Sequence, residues 1–130
     1  MPTSLLMMSS AITMLALGLS LTFAPQEVLT SAGSSPSWVL FVIVQATGAL
    51  YLGFAMLNWM AKDNLIGGIY SRPVALGNFL HFAVMTMTLL RVFAAGHHTT
   101  PLLAVLSLYL VFAAWFGLVL FGVSLKRERA

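Results

Sequence analysis

The chain is 130 residues long, 60% hydrophobic and only 7% charged, with a mean hydropathy of +0.98 and a formal net charge of +3. Globular domains carry about 25% charged residues, so six basic and three acidic side chains cannot furnish a water-exposed surface, and a soluble fold is excluded. The basic excess does not point to nucleic acid either: Lys62, Arg72, Lys126, Arg127 and Arg129 flank apolar runs instead of forming an aromatic-interleaved patch, which is membrane anchoring.

Crossing the hydrocarbon core takes about 20 apolar residues of helix, and backbone groups in lipid must be satisfied within a helix or a closed barrel. Nothing here alternates with period two, so helices are predicted. The first span covers about residues 5–24 and is stopped by Pro25. It lacks the basic leading segment of a signal peptide, and Pro25 obstructs cleavage after Thr22-Phe23-Ala24, so a retained helix is expected. Residues 25–37 read as a connection that holds Glu27 and no basic residue.

The second span, about 38–61, opens at Trp38 and ends at Lys62 and Asp63. The next connection contains Gly67-Gly68 as a natural turn. Pro73 then opens the third span, about 73–95, since a missing N–H costs nothing in a first helical turn. Gly96 closes it. After His97 and His98, the fourth span runs over about 101–125, from Pro101 to the basic tail at Lys126.

Five of the six Lys and Arg residues fall on the side of the 62–72 connection and the C-terminus, and only Arg91 falls on the other. Cytoplasmic loops carry the Lys/Arg excess, so both termini are predicted inside. Trp38, Trp59 and Tyr70 sit where interfacial aromatics anchor helices, Asn58 lies near Lys62 and reads as interfacial, and Trp115 reads as a packing residue. The predicted fold is all-α: an integral membrane, antiparallel four-helix bundle, N-in and C-in, as a single domain over residues 1–130.

Lipid tails are as apolar as leucine, so small residues and polar contacts must hold such helices together. The candidate packing positions are Ala49 and Gly53, four apart with Gly48 beside them, on the second span. Gly77 is the candidate on the third, and Ala113 and Gly117, with Ser107 and Ala114, on the fourth. Ser10, Thr13 and Ser20 share one side of the first span.

Polar residues inside a membrane are costly and usually face protein or water. On the third span Gly77, His81, Val84, Thr88 and Arg91 follow a 4-3-4-3 spacing that stacks them on one face, with Asn78 close by. Gln45 lies at a similar depth to Arg91. The candidate ligand-binding set is therefore Gln45, Asn78, His81, Thr88 and Arg91. The structural alternative for His81 is a neutral imidazole bonded to a neighbouring helix, and for Arg91 a side chain snorkelling to headgroups or pairing with Gln45 or Glu27.

Several chemistries lack their residues. With no cysteine, disulfides, thiolate metal sites and cysteine nucleophiles are excluded. No Asp or Glu lies within a span, so a carboxylate-driven antiporter lacks its titrating group. No hydrolase or phosphate-cradling motif occurs. His97-His98 has no third ligand nearby and reads as a solvated loop, too far from His81 to share one haem. No enzyme activity, catalytic residue, metal site or cofactor is expected.

Leu17-Gly18, the run Phe23-Ala24-Pro25-Gln26-Glu27, the glycine-bearing segment Gly48-Ala49-Leu50-Tyr51-Leu52-Gly53 and the late Arg91 together resemble the small bacterial four-helix membrane proteins grouped with the DoxX-like families. The resemblance spans most of the chain and implies an inner-membrane bundle of undefined biochemical role; the KDNLIGGIYSRP connection lies outside it. The leading expectation is an accessory or assembly component acting through helix–helix contacts, with the lipid bilayer and either a second copy or a larger membrane complex as partners. The alternatives are a carrier for a small hydrophobic or anionic molecule, using the polar face of the third span, and a haem- or quinone-associated redox subunit.

Overall fold

The computed structural model describes residues 3–35, 37–64 and 71–127, with side chains described as far as residue 122. The Gly67-Gly68 turn, Tyr70 and Arg129 lie outside the described residues. Five helices follow in order: α1 Thr3–Phe23, α2 Pro25–Ser31, α3 Trp38–Ala61, α4 Arg72–Ala94 and α5 Thr100–Arg127. No strand occurs among the described residues. Four of the helices, α1, α3, α4 and α5, are long and apolar enough to cross a membrane. At 1.5 Å per residue, even the 21 residues of α1 reach about 32 Å, enough for a core about 30 Å thick. Only 17% to 33% of each span is buried inside the protein, so most of the apolar surface is left for lipid or other protein.

The helix ends follow local chemistry. Ser37 caps α3 by accepting a bond from the Leu40 amide at 3.3 Å, a standard use of serine at that position. Pro73 sits in the first turn of α4, which begins one residue earlier than predicted. Gly96 takes φ +97 just past α4, a conformation that side chains with a Cβ resist. α5 continues two residues past the predicted end, through Lys126 and Arg127.

The 25–37 connection is a correction, because its first half is helical. Pro25 stops α1 and serves as the first residue of α2, whose first turn carries Glu27, an anion at the positive end of the helix dipole. Gly33 then adopts φ +74, with Gly33 N donating to Thr30 O and Ser34 N to Leu29 O, both at 3.0 Å. That bond pair is a Schellman termination. Seven residues are too few to show periodicity, and the serine- and glycine-rich sequence after them reads as loop.

The described chain divides into two compact units. One holds α1 from Met7, α2 and α3. Its contacts run up α1 as they run down α3, so this pair is antiparallel: Ser10 meets Asn58, Gly18 meets Leu52, and Thr22 meets Gly48. Gly48 and Gly18 set the closeness of the crossing. A Cβ at position 48 would stand 2.5 Å from Thr22 Oγ1 and 2.9 Å from the Thr22 backbone nitrogen. One at position 18 would stand 2.9 Å from Leu52 Cγ.

The contact between α1 and α3 does not use Ala49 and Gly53. Both residues are exposed, and nothing lies within 4 Å of a Cβ built at Gly53. Gly53 is five residues from Gly48, which turns it about 140° away around the helix. The buried line is Gly48, Tyr51, Ala55, Asn58 and Ala61.

The second unit holds α4 and α5. Phe82 is fully buried and stacks on Phe112 (centroids 4.9 Å apart) and Phe116 (5.8 Å), with Tyr109 edge-on at 5.3 Å. Phe79 meets Phe121 edge-on at 5.6 Å. Gly117 admits the Phe79 ring, since a Cβ there would come within 3.1 Å of Phe79 Cε2. Ala113 is buried, whereas Ala114 and Ser107 are exposed. Rings rather than small residues dominate this pair, each ring contact contributing about 0.5–1.5 kcal/mol beyond area burial.

Candidate functional site

The polar face predicted on the third span does not stay together. The buried line of α4 is Ala75, Asn78, Phe82 and Thr86. Gly77 and His81 lie at its margin and are half-buried, while Val84, Thr88 and Arg91 are exposed. The reason is angular. Thr88 is two residues past Thr86, about 160° around the helix, and Arg91 is five past it, about 140° around. A 4-3-4-3 set does share a face, but that face is not the one α4 buries.

Three polar side chains of α4 bond along their own helix. Asn78 Nδ2 donates to Val74 O at 2.9 Å, Thr86 Oγ1 to Phe82 O at 2.7 Å, and Thr88 Oγ1 to Val84 O at 3.0 Å. Back-bonding of this kind satisfies a hydroxyl where water is absent. Arg91 falls in the last turn of α4, where a cation complements the helix dipole.

His81 packs against α5, the other helix of its unit. Its ring lies 5.7 Å from the Tyr109 ring and 5.2 Å from Phe82, centroid to centroid. Histidine, tyrosine and phenylalanine thus form one aromatic cluster between α4 and α5, with Tyr109 almost fully buried. His97 and His98 are exposed, with His98 packed edge-on against Phe93 at 4.4 Å. Among the described residues no three His, Cys, Asp or Glu side chains gather as a metal site would require.

In the α1–α3 unit, Gln45 is half-buried and its Nε2 donates to Thr22 O at 3.3 Å. That carbonyl belongs to the last turn of α1, where the helix cannot satisfy its own acceptors. Gln45 therefore joins the end of α1 to α3.

Asn58, one turn before Lys62, is enclosed between helices. It is fully buried, and its Nδ2 donates to Ser10 Oγ at 3.1 Å. Ser10 Oγ in turn donates to Met7 O at 3.0 Å. This amide–hydroxyl–carbonyl relay is a fully enclosed polar link between α1 and α3. The sequence signal was present, because Asn58 continues the 3-4-3 spacing of Gly48, Tyr51 and Ala55.

The open face of α3 forms a groove of about 650 Å³ lined by Ala46, Ala49, Leu50, Gly53, Phe54 and Leu57. A second groove, of about 250 Å³, runs between α1 and α3. Neither is lined by His81, Asn78, Thr88 or Arg91.

These features define a class, a multi-pass helical membrane protein whose intramembrane polar groups largely bond within and between its helices. No family model, curated protein or solved structure matches the chain. Its own residues are what bear on function.

Proposed function

We propose that the protein is a non-enzymatic accessory or assembly component of a larger membrane complex, and that its four spans form an antiparallel bundle with both termini in the cytoplasm of an inner membrane. The five-to-one distribution of Lys and Arg supports that orientation. The observation that carries the functional reading is the small-residue groove on α3. Ala46, Ala49 and Gly53 are exposed side by side, and small residues are what allow a second transmembrane backbone to approach closely. The polar side chains around them support the same reading, since Gln45, Ser10 and Asn58 are engaged in holding α1 to α3 and not in lining a passage.

Filling the groove tests this. With the tagged chain purified from its native membrane in mild detergent, the wild type is expected to retain a stoichiometric protein partner. The double variant Ala49→Leu/Gly53→Leu is expected to lose that partner at least tenfold while keeping its own thermal stability. A wild-type protein that runs as a lone monodisperse species, or a partner indifferent to the double variant, contradicts the reading and favours a carrier built around His81.

A further inference from the structure

The groove between α1 and α3 differs in kind from the open face of α3. Its floor is made by two buried alanines, Ala11 and Ala55, and its rims by the exposed side chains of Ile12, Leu15, Met56 and Trp59. Its volume, about 250 Å³, is smaller than the roughly 300–1,000 Å³ of sites that enclose a compact ligand. Its lining covers about one turn of each helix, about 6 Å, which takes a segment of a hydrocarbon chain.

Its end is charged. Lys62, the residue that closes α3, places its ammonium 3.9 Å from the centroid of the Trp59 ring. Cation–π contact at that distance holds a lysine that would otherwise swing freely. Trp59 is thus shared by two environments, one face toward the cation and the indole body toward the trough. From Ala55 to Lys62 is seven residues, about 10 Å along the helix. Neither Lys62 nor the exposed Asp63 lines the groove itself, but only Lys62 is packed on a lining residue.

We propose that this trough is a lipid site: one acyl chain of an anionic phospholipid lies over Ala11 and Ala55, and its headgroup phosphate is held by Lys62 at the end of α3. An apolar tail joined to an anionic head is the chemistry that matches an apolar trough ending in a fixed cation. A zwitterionic lipid fills the same trough without net attraction to Lys62. One lysine near an anionic headgroup is expected to confer about a fivefold preference. The inference is independent of the partner-binding reading, which concerns the other face of α3.

The chain has three tryptophans, so a Trp38→Phe/Trp115→Phe background leaves Trp59 as the sole reporter. Reconstituted in vesicles, Trp59 is expected to be quenched by phosphatidylglycerol brominated on its acyl chain at about one-fifth the mole fraction needed with brominated phosphatidylcholine. Lys62→Gln is expected to abolish the difference, and Lys62→Arg to retain it. Equal quenching by the two lipids overturns the proposal, as does a preference that survives Lys62→Gln. Trp59 quenched by neither lipid also overturns it, and would assign the trough to a protein segment.

Discussion

Replacing Gly48 with leucine is expected to destabilise the protein by about 3 kcal/mol, at the upper end of what overpacking costs. The first atom a side chain meets there is Thr22 Oγ1, which could rotate away. The next, the Thr22 backbone nitrogen at 2.9 Å, cannot move without moving α1. In lipid no hydrophobic force draws the two helices back together once they are pushed apart, and the Gln45–Thr22 and Asn58–Ser10 bonds on either side of the crossing lengthen with it. Thermal unfolding in detergent measures the effect. Gly53→Leu is the control: with nothing within 4 Å of its Cβ, it is expected to change stability by less than about 0.5 kcal/mol. Equal effects at the two glycines would mean that α1 and α3 cross elsewhere.

Phe82→Ala is expected to destabilise by about 2–4 kcal/mol, somewhat below the 3–5 typical of aqueous cores. The reduction has a physical cause. An exposed phenylalanine in a membrane already sits in hydrocarbon, so little transfer free energy is lost. What is lost is contact with Phe112, Phe116, Tyr109 and His81, together with the void that a rigid helix pair cannot close. Phe82→Leu is expected to recover about half of the loss by filling much of the space without the ring contacts. Phe23→Ala, at a side chain that is 78% exposed, is expected to shift stability by less than about 0.5 kcal/mol. The same detergent unfolding measurement reads all three, and a Phe82→Ala protein as stable as the wild type would remove the aromatic cluster as the link between α4 and α5.

How much of this was legible in the sequence depends on what kind of signal each feature carries. The four long helices were readable because a run of about 20 apolar residues has few other solutions, and their ends fell within one or two residues of prediction wherever Pro73, Gly96 or Lys62 marked them. α2 was not readable: its seven residues lie next to Gly33 and two serines that speak for loop. The polar positions of α4 differ in burial because spacing alone shows which residues share a face, not which face is covered. Phe82 and Phe112 decide that, and their rings leave no mark in a search for polar residues. The same ambiguity separated Gly48 from Gly53, which look equivalent in a list of small residues and differ by about 140° on the helix. Asn58 is a case in which the spacing does carry the burial, since it continues the line of Gly48, Tyr51 and Ala55.

The absence of cysteine makes the central claim, four membrane crossings, open to one direct measurement. Single cysteines at Ser34, Asn64 and His98, each in a connection between spans and each the sole thiol, can be labelled in intact cells with a membrane-impermeant maleimide. Ser34→Cys and His98→Cys are expected to react from outside, and Asn64→Cys only after the membrane is opened. Labelling of all three positions from the same side would contradict the four-span account.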